Sequence, residues 1–498
     1  MGKSNIDVFF NPRSIAVIGA SQDSSKIGHI IARHLLDAES RVYMVNPRAE
    51  EILGRPCYPD LASIPDSIDL AVVALPATGT VRAVEECVRK GVRGIIAVGS
   101  GFGETGEEGE RLERQIREIL RGVREGERPR LLGPNTVGVY VPRNRLDTLF
   151  IPRERVPRME SGWWALASQS GAVGVRLMVA GREMGLGLSA FIGLGNKLDV
   201  GENEIMDYLA EDVHTRVIAF YLESFADGRG FLERCRQITL KKPVVVLKSG
   251  RSQAGLRAAA LHTGSLAGSD RVADGALRQG GVCRAYDEEE LLDLVLALGS
   301  LAPLSGPRVG IITAAGGLGV ILSDLIESRS RGVGLRLAEV SEEGKKKLRS
   351  SLLPYASVEN PIDVTGNATN EHYEAALNVL LDEEGVDAVI CILVYDTPAL
   401  NERLNDFIIE RFRRTGKAIV VATIGDEATR RSLRPLAEAG IPVYPSLWRA
   451  ARAVAALYER SRYLRLRGVL HIAEETLADK WGRGVNIGLE GMPGSRGA

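Results

Sequence analysis

One histidine in a loop of small residues is the strongest candidate nucleophile in this sequence. It lies in the segment Leu261-His-Thr-Gly-Ser-Leu-Ala-Gly268, where Gly and small hydroxyl side chains favour a mobile loop. Imidazole is a nucleophile at neutral pH, and it can carry a phosphoryl group as a phosphoramidate. A lone histidine is more often an ordinary surface or core residue, but the composition of this loop favours His262 as a covalent carrier.

A histidine that accepts a phosphoryl group benefits from a carboxylate that holds its other ring nitrogen and stabilises the cation formed. Glu223 directly follows the apolar run Val217–Leu222, which predicts a buried parallel strand. Functional groups of such sheets collect at the carboxyl ends of the strands. Glu223 is therefore a candidate partner of His262, and the alternative is a solvated loop carboxylate.

Two further turns are rich in Gly, Ser and Ala and could bind an anion. Ser168-Gln-Ser-Gly-Ala-Val-Gly174 follows a predicted strand at 163–167, and Thr313-Ala-Ala-Gly-Gly-Leu-Gly319 follows one at 308–313. Each turn would present helix N-terminal amides and the positive end of the helix dipole to a negative group. One such turn could be ordinary packing, whereas two suggest a pair of helices directed at one phosphate.

The first glycine turn, Gly19-Ala-Ser-Gln-Asp-Ser-Ser-Lys-Ile-Gly28, joins a predicted strand at 14–20 to a helix. It departs from GxGxxG, and a tight turn without a ligand is the alternative. An NAD-binding domain would place Asp or Glu at the end of the second strand. Here Asn46 and Pro47 stand at that position, which argues against NAD and leaves room for another adenine nucleotide.

Composition excludes several other classes of protein. Lys and Arg total 63 against 64 Asp and Glu, so no basic field exists for nucleic acid or an anionic membrane. The five Cys are far apart, the first residues lack a signal-peptide core, and no apolar run reaches 18 residues. The sequence contains no P-loop, HExxH or GxSxG motif and no metal-ligand cluster. We therefore expect a cytoplasmic protein without a metal site.

The order of elements predicts an α/β protein of several domains. At about 150 residues per domain, 498 residues suggest three, and short β-branched runs alternate with helix-length amphipathic stretches. Proline-rich and glycine-containing linkers divide the chain, a long polar loop is expected at 249–268, and the end is rich in Gly. The expected domains are residues 1–142, 160–300 and 307–465, with a disordered tail at 482–498.

Five motifs in a fixed order resemble one known family. They are Phe10-Asn-Pro-Arg-Ser-Ile-Ala-Val-Ile-Gly-Ala-Ser21, Gly133-Pro-Asn-Thr-Val-Gly138, Ser168-Gln-Ser-Gly171, His262-Thr-Gly-Ser-Leu-Ala-Gly268 and Asn360-Pro-Ile-Asp-Val-Thr-Gly366. Together they resemble the α subunit of the ADP-forming acetyl-CoA synthetases, relatives of succinyl-CoA synthetase, over residues 7–460. The resemblance implies a Rossmann-like CoA-binding domain followed by two flavodoxin-like, succinyl-CoA-ligase-type domains.

The resemblance also implies roles for individual residues. His262 would be the phosphorylated histidine, and Glu223 the carboxylate that supports its ring. The phosphate-binding residues would be Ser170, Gly171, Gly316 and Gly317. The CoA-binding residues would be Gly19, Ser21, Lys26, Asn46, Pro47 and Asn135.

The family's ATP-grasp domains, which bind the nucleotide, have no counterpart in this sequence. The resemblance therefore implies a separate ATP-grasp β subunit that holds ADP or ATP with Mg²⁺, in an α2β2 assembly. The expected reaction converts acyl-CoA, phosphate and ADP to carboxylate, CoA and ATP. Two alternatives are a non-enzymatic CoA-binding regulatory protein and an NAD-dependent dehydrogenase, and the acyl group is not predicted.

Overall fold

The computed structural model describes residues 5–257, 269–327, 334–395 and 399–469. Within the chain, residues Met1–Leu291 and Leu292–Ala498 form two compact units. His262 lies outside the described residues. No helix in the described ranges is both long enough and apolar enough to cross a bilayer.

The first sheet of the first unit is a doubly wound, largely parallel sheet. Its strands are β1 (Ser14–Ile18), β2 (Arg41–Val45), β3 (Glu51–Ile52), β4 (Arg55–Tyr58), β5 (Leu70–Val73), β6 (Gly94–Ala97) and β7 (Arg130–Leu132), and its helices are α1 (Ile27–Leu35), α2 (Ala77–Lys90) and α3 (Glu107–Arg121). The strand order is β3-β4-β2-β1-β5-β6-β7, and the β3–β4 pair is antiparallel. Strands β1, β5 and β6 are buried along their whole length, because helices cover both faces of a parallel sheet.

The second sheet of this unit has a flavodoxin-like core. Its strands are β8 (Val139–Val141), β9 (Leu146–Asp147), β10 (Ser161–Ser168), β11 (Leu188–Gly193), β12 (Val217–Leu222), β13 (Val244–Lys248) and β14 (Cys283–Ala285), and its helices are α4 (Gly171–Glu183), α5 (Glu202–Glu211), α6 (Gly228–Ile238) and α7 (Asp270–Gln279). The order is β14-β13-β12-β10-β11-β8-β9, and β8 joins β11 antiparallel.

The prediction of a polar loop at 249–268 is wrong for part of that segment. Residues 253–257 are helical. The Ser252 hydroxyl accepts a hydrogen bond from the Gly255 amide at 3.0 Å, and this side chain caps the first turn. Ser252 is the N-cap signal here, and the helix forms after it although Gly255 lies within it.

The second unit contains a third sheet with the same flavodoxin order. Its strands are β15 (Arg308–Thr313), β16 (Arg336–Leu337), β17 (Ile362–Asp363), β18 (Ala388–Ile392), β19 (Ala418–Ala422) and β20 (Val443–Tyr444). The order is β16-β15-β18-β19-β20, β17 also pairs with β15, and all pairs are parallel. The remaining helices are α8 (Glu288–Ser300), α9 (Gly316–Glu327), α10 (Glu342–Ser351), α11 (Asn370–Asp382), α12 (Arg403–Arg414), α13 (Glu427–Ser432), α14 (Arg434–Glu438) and α15 (Leu447–Leu466).

Each sheet has a point where the strand order reverses, and ligands of such sheets bind in the crevice there. The reversal falls between β1 and β5, between β10 and β12, and between β15 and β18. The turns after β1, β10 and β15, together with Glu223 after β12, therefore lie at these crevices. The predicted α/β class, a Rossmann-like domain followed by two flavodoxin-like domains, is confirmed.

Candidate functional site

The turn between β10 and α4 leaves helix amides available to an anion. Ser170 is the N-cap of α4, and its hydroxyl accepts from the Val173 amide at 3.5 Å. The amides of Gly171 and Ala172, the first two of the helix, have no acceptor in the described chain. A Cβ on Gly171 would lie 3.1 Å from the Val137 side chain, so the turn packs tightly on its neighbour.

Glu223 is fixed to this turn by the side chain of Gln169. The Gln169 Oε1 atom accepts from the Glu223 amide at 3.0 Å and from the Ser224 amide at 3.1 Å. The Tyr221 hydroxyl lies 3.5 Å from Glu223 Oε1 as a donor, and burial raises the pKa of Tyr221. Glu223 is 5% exposed, so its carboxylate is held at the reversal point rather than solvated in a loop.

The segment after Glu223 is held from its other side by a buried ion pair. The Lys197 ammonium donates to the Ser224 carbonyl oxygen at 2.7 Å and lies 3.0 Å from Glu202 Oε2. The other oxygen of Glu202 accepts from the Ala226 amide at 2.6 Å. Burial lowers the pKa of Lys197, and the Glu202 and Glu223 carboxylates oppose that shift. Residues 224–226 are thus positioned by contacts on both flanks.

The turn after β1 needs glycine because other backbone atoms approach it closely. Gly19 has φ +87°, and a Cβ there would lie 2.7 Å from the Ala74 carbonyl oxygen. A Cβ on Gly28 would lie 1.9 Å from the Gly19 carbonyl oxygen. Such contact of α1 with the turn lets a ligand phosphate reach the backbone, which is the role of small residues in nucleotide-binding turns.

Asn46 stabilises this turn from the neighbouring strand end. Its Nδ2 donates to the Ala20 carbonyl oxygen at 2.7 Å, and its Oδ1 accepts from the Arg48 amide at 2.8 Å. Pro47 beside it is exposed. The Asn46 side chain therefore hydrogen-bonds to the protein backbone on both sides. A ligand would contact the turn after β1, which Asn46 stabilises.

The remaining residues predicted for this turn are at or near its surface. The Ser21 hydroxyl accepts from the Asp23 amide at 3.1 Å, which bends the turn toward α1. Lys26 is the N-cap residue of α1, and its side chain is exposed. A cation at the start of a helix is unfavourable for the dipole, so its position there favours an anionic ligand.

Asn135 connects the first sheet to the Glu223 segment. It follows β7 with φ +58°, and its Nδ2 donates to the Asn196 side chain at 3.3 Å. Asn196 directly precedes Lys197, which contacts Ser224. The predicted CoA-binding residue Asn135 and the predicted carboxylate Glu223 thus lie along one edge of the first unit, joined through residues 196–197.

In the second unit, the two glycines of the turn between β15 and α9 have different surroundings. A Cβ on Gly316 would lie 2.4 Å from Asp363 Oδ2, whereas a Cβ on Gly317 would meet nothing within 4 Å. Asp363 also accepts from the Thr365 amide at 2.9 Å. Gly316 is therefore required by packing against a carboxylate, and Gly317 leaves open space at the start of α9.

The structure adds Gln169, Asn196 and Lys197, which the sequence motifs did not single out, to the candidate site. Gln169 lies inside a motif whose small residues suggest an anion site by themselves, and residues 195–197 form a Gly-Asn-Lys turn after the carboxyl end of β11. Polar residues at the carboxyl ends of parallel strands are the signal that could have found them. The contact expected between Glu223 and His262 stays a prediction.

Comparison with family models matches most of the chain. A CoA binding domain matches residues 13–142, a succinyl-CoA ligase like flavodoxin domain matches 161–298, and a ligase-CoA domain matches 309–471. These three matches follow the three sheets in order.

Individual relatives match over most of this chain. The α subunit of acetate–CoA ligase (ADP-forming) I of Pyrococcus furiosus is 39% identical over 470 residues, covering 92% of this chain and 98% of the relative. Acetate–CoA ligase (ADP-forming) I of Archaeoglobus fulgidus is 37% identical, and the match covers 97% of this chain and 69% of that longer protein.

A solved structure agrees with these relatives. The dinucleotide forming acetyl-coenzyme A synthetase 1 of Ca. Korarchaeum cryptofilum, in complex with phosphate and ADP, is similar with a TM-score of 0.85 at 33% identity, covering 94% of this chain and 98% of that chain. The chain therefore belongs to the α-subunit family of the ADP-forming acetate–CoA ligases.

Proposed function

We propose that this chain is the α subunit of an enzyme that interconverts acyl-CoA, phosphate and ADP with carboxylate, CoA and ATP. One observation carries the proposal: Gln169, in the turn that leads into the free N-terminal amides of α4, also holds the backbone amides of Glu223 and Ser224. A carboxylate and an anion-binding helix end are the two groups that a histidine phosphoryl carrier requires.

The reaction proceeds in three balanced steps. A phosphate oxygen attacks the thioester carbonyl, so that a C–O bond forms, the C–S bond breaks, and CoA leaves as the thiol. A His262 ring nitrogen then attacks the phosphorus of the acyl phosphate, forming an N–P bond and releasing the carboxylate. Finally a β-phosphate oxygen of ADP takes the phosphoryl group, the N–P bond breaks, and ATP is formed. The covalent intermediate lets two separate sites share one phosphoryl group.

Each site residue has a defined part in this scheme. In the first unit, Ser170 and Gly171 offer a phosphate-binding turn at the start of α4, and in the second unit Gly316 and Gly317 offer one at the start of α9. Glu223 fixes the tautomer of His262 and stabilises its cationic form. CoA binds the turn at Gly19, Ser21 and Lys26, the strand end at Asn46 and Pro47, and the loop at Asn135.

The nucleotide site belongs to a partner in this proposal. The relatives from Pyrococcus furiosus are named as α subunits, and the sequence of this chain contains no P-loop. We propose an ATP-grasp β subunit that binds ADP with Mg²⁺, an α2β2 assembly, and a cytoplasmic location. If ATP and magnesium phosphorylated His262 in the chain alone, the division between subunits would be wrong.

The proposal does not specify the acyl group. Relatives named for acetate, 4-hydroxybutyrate and trans-ferulate match this chain at 39%, 32% and 30% identity. One methylene in an apolar pocket changes discrimination by only about 1–3 kcal/mol, so identity at this level does not fix the substrate. A panel of acyl-CoA thioesters would identify it, and a narrow preference for long chains would contradict the proposal.

Activity with a histidine variant tests the proposed function. The chain is co-purified with its β subunit, and ATP formation is measured with acyl-CoA, phosphate, ADP and Mg²⁺. We expect His262→Ala to abolish ATP formation and His214→Ala, at an exposed position, to retain it. Undiminished ATP formation by His262→Ala would overturn the proposal.

A further inference from the structure

Lys248, the last residue of β13, carries an incompletely partnered charge inside the first unit. Its side chain is buried, with 4% of the residue exposed. The ammonium donates to the Ser249 carbonyl oxygen at 2.6 Å. An ammonium has three donors, and no carboxylate of the described chain forms an ion pair with this one.

Two partly buried lysines of this unit are better satisfied. Lys197 has both a carbonyl oxygen and the Glu202 carboxylate, and Lys242 donates to two carbonyl oxygens, of Leu209 and Asp212. Burying a charge without a partner is costly. The exception at Lys248 therefore indicates that an anion completes its environment.

The carboxylates around Lys248 act on its ammonium from beyond ion-pair distance. Lys248 pairs in register with Leu222, the residue before Glu223, and the Glu223 and Asp270 carboxylates attract its ammonium while Arg284 and Lys197 oppose it. Asp270 is already bound by Arg284. Burial lowers the pKa of Lys248, and a bound dianion would raise it again.

We propose that Lys248 binds the phosphoryl oxygens of inorganic phosphate and of the acyl phosphate formed from it. This rests on the proposed function, because it places the phosphoryl group at the strand ends that carry Glu223 and the α4 turn. Lysine is a common phosphate ligand as a point charge. Helix amides supply partial charges, and Lys248 adds a full positive charge where a dianion must be held.

Two measurements on Lys248→Met and Lys248→Gln test this proposal. With the β subunit present, the KM for phosphate should rise about tenfold to a hundredfold, as expected for losing a charged hydrogen bond, while the KM for acyl-CoA stays unchanged. In the α chain alone, inorganic phosphate should raise the Tm of the wild type and raise that of both variants less. Lys248→Arg should recover part of both effects.

The matched control is Lys241→Met. Lys241 lies on the same chain segment, its side chain is 74% exposed, and we expect no change in either measurement. Without phosphate, Lys248→Met should be at least as stable as the wild type, because an apolar side chain removes a buried charge. Lys248→Gln keeps a donor for Ser249 and provides a second variant if the first does not fold.

The outcomes separate the two proposals. An unchanged KM for phosphate, an equal rise in KM for all substrates, or a wild-type Tm that phosphate does not raise would each overturn the role of Lys248. If the wild type forms no ATP from any acyl-CoA while phosphate still raises its Tm more than that of the variants, the proposed function fails and the phosphate site stands.

Discussion

Replacing Gln169 by Ala should both destabilise the first unit and slow phosphoryl transfer. One oxygen of this side chain accepts two backbone amides, those of Glu223 at 3.0 Å and Ser224 at 3.1 Å. Each buried donor left without an acceptor costs about 1–3 kcal/mol. We therefore expect the free energy of unfolding to fall by about 2 kcal/mol or more.

The effect on rate follows from the displacement of Glu223. Without Gln169, the pairing of β12 with β13 up to Leu222 and the Lys197 contact remain. The backbone amide of Glu223, however, loses the acceptor that fixes the position of this residue. A misplacement of about 1 Å at a reacting group lowers rates by about a hundredfold. We expect phosphorylation of His262 by acyl phosphate, measured by rapid quench, to slow about tenfold to a hundredfold.

The control removes a glutamine of the same size from the surface. Gln279 is exposed at the end of α7, and Gln279→Ala should change the rate less than twofold. Urea unfolding gives the free energy for each protein. If Gln169→Ala retains both the wild-type free energy of unfolding and the wild-type rate, the geometry assigned to Glu223 is wrong.

Three further predictions concern the first sheet. Gly19→Ala should lower the free energy of unfolding by about 2 kcal/mol or more and abolish CoA binding in calorimetry, because the φ of Gly19 is +87° and an added Cβ would clash. The control is Gly54→Ala, where φ is +73° but the surrounding space is open. This variant should lose about 1 kcal/mol of stability and still bind CoA. Asn46→Asp replaces the donor to the Ala20 carbonyl oxygen by an acceptor, so CoA affinity in calorimetry should fall about tenfold, and an unchanged CoA affinity would refute the role given to Asn46. Burial lowers the pKa of His34, so the unfolded chain binds the proton more tightly and the free energy of unfolding should fall as the pH drops below about 6.5. His34→Gln should flatten this dependence of stability on pH, and His214→Gln should not. An unaltered pH dependence in His34→Gln would refute the attribution to His34.

The strands were predictable because parallel strands buried on both faces are continuous apolar runs. Predicted strands at 217–222 and 308–313 have the same bounds in the structure. The run of Glu and Arg at 107–127 predicts a charged helix over its whole length, whereas α3 ends at Arg121. Gly122 is the C-cap of α3. The Glu and Arg residues after Gly122 have the same composition as the helix but are not part of it.

The loops were predictable one at a time, but their contacts were not. Gln169 and Glu223 are 54 residues apart, and Lys197 and Ser224 are 27 apart. No local pattern encodes such pairs, since the sheet order alone brings these strand ends together. The same limit applies to Lys248. That its ammonium is buried without a carboxylate partner in the described chain follows from how the first unit packs, and the residues next to it in sequence do not indicate it.

The location of the phosphoryl intermediate tests the central claim most directly. The chain and its β subunit are incubated with radiolabelled phosphate and the acyl-CoA that supports turnover, without ADP, and the labelled peptide is mapped. We predict a base-stable, acid-labile label on His262 that passes to ATP when ADP and Mg²⁺ are added, and no label in His262→Ala. ATP formation at the normal rate with no label on His262 would contradict the account.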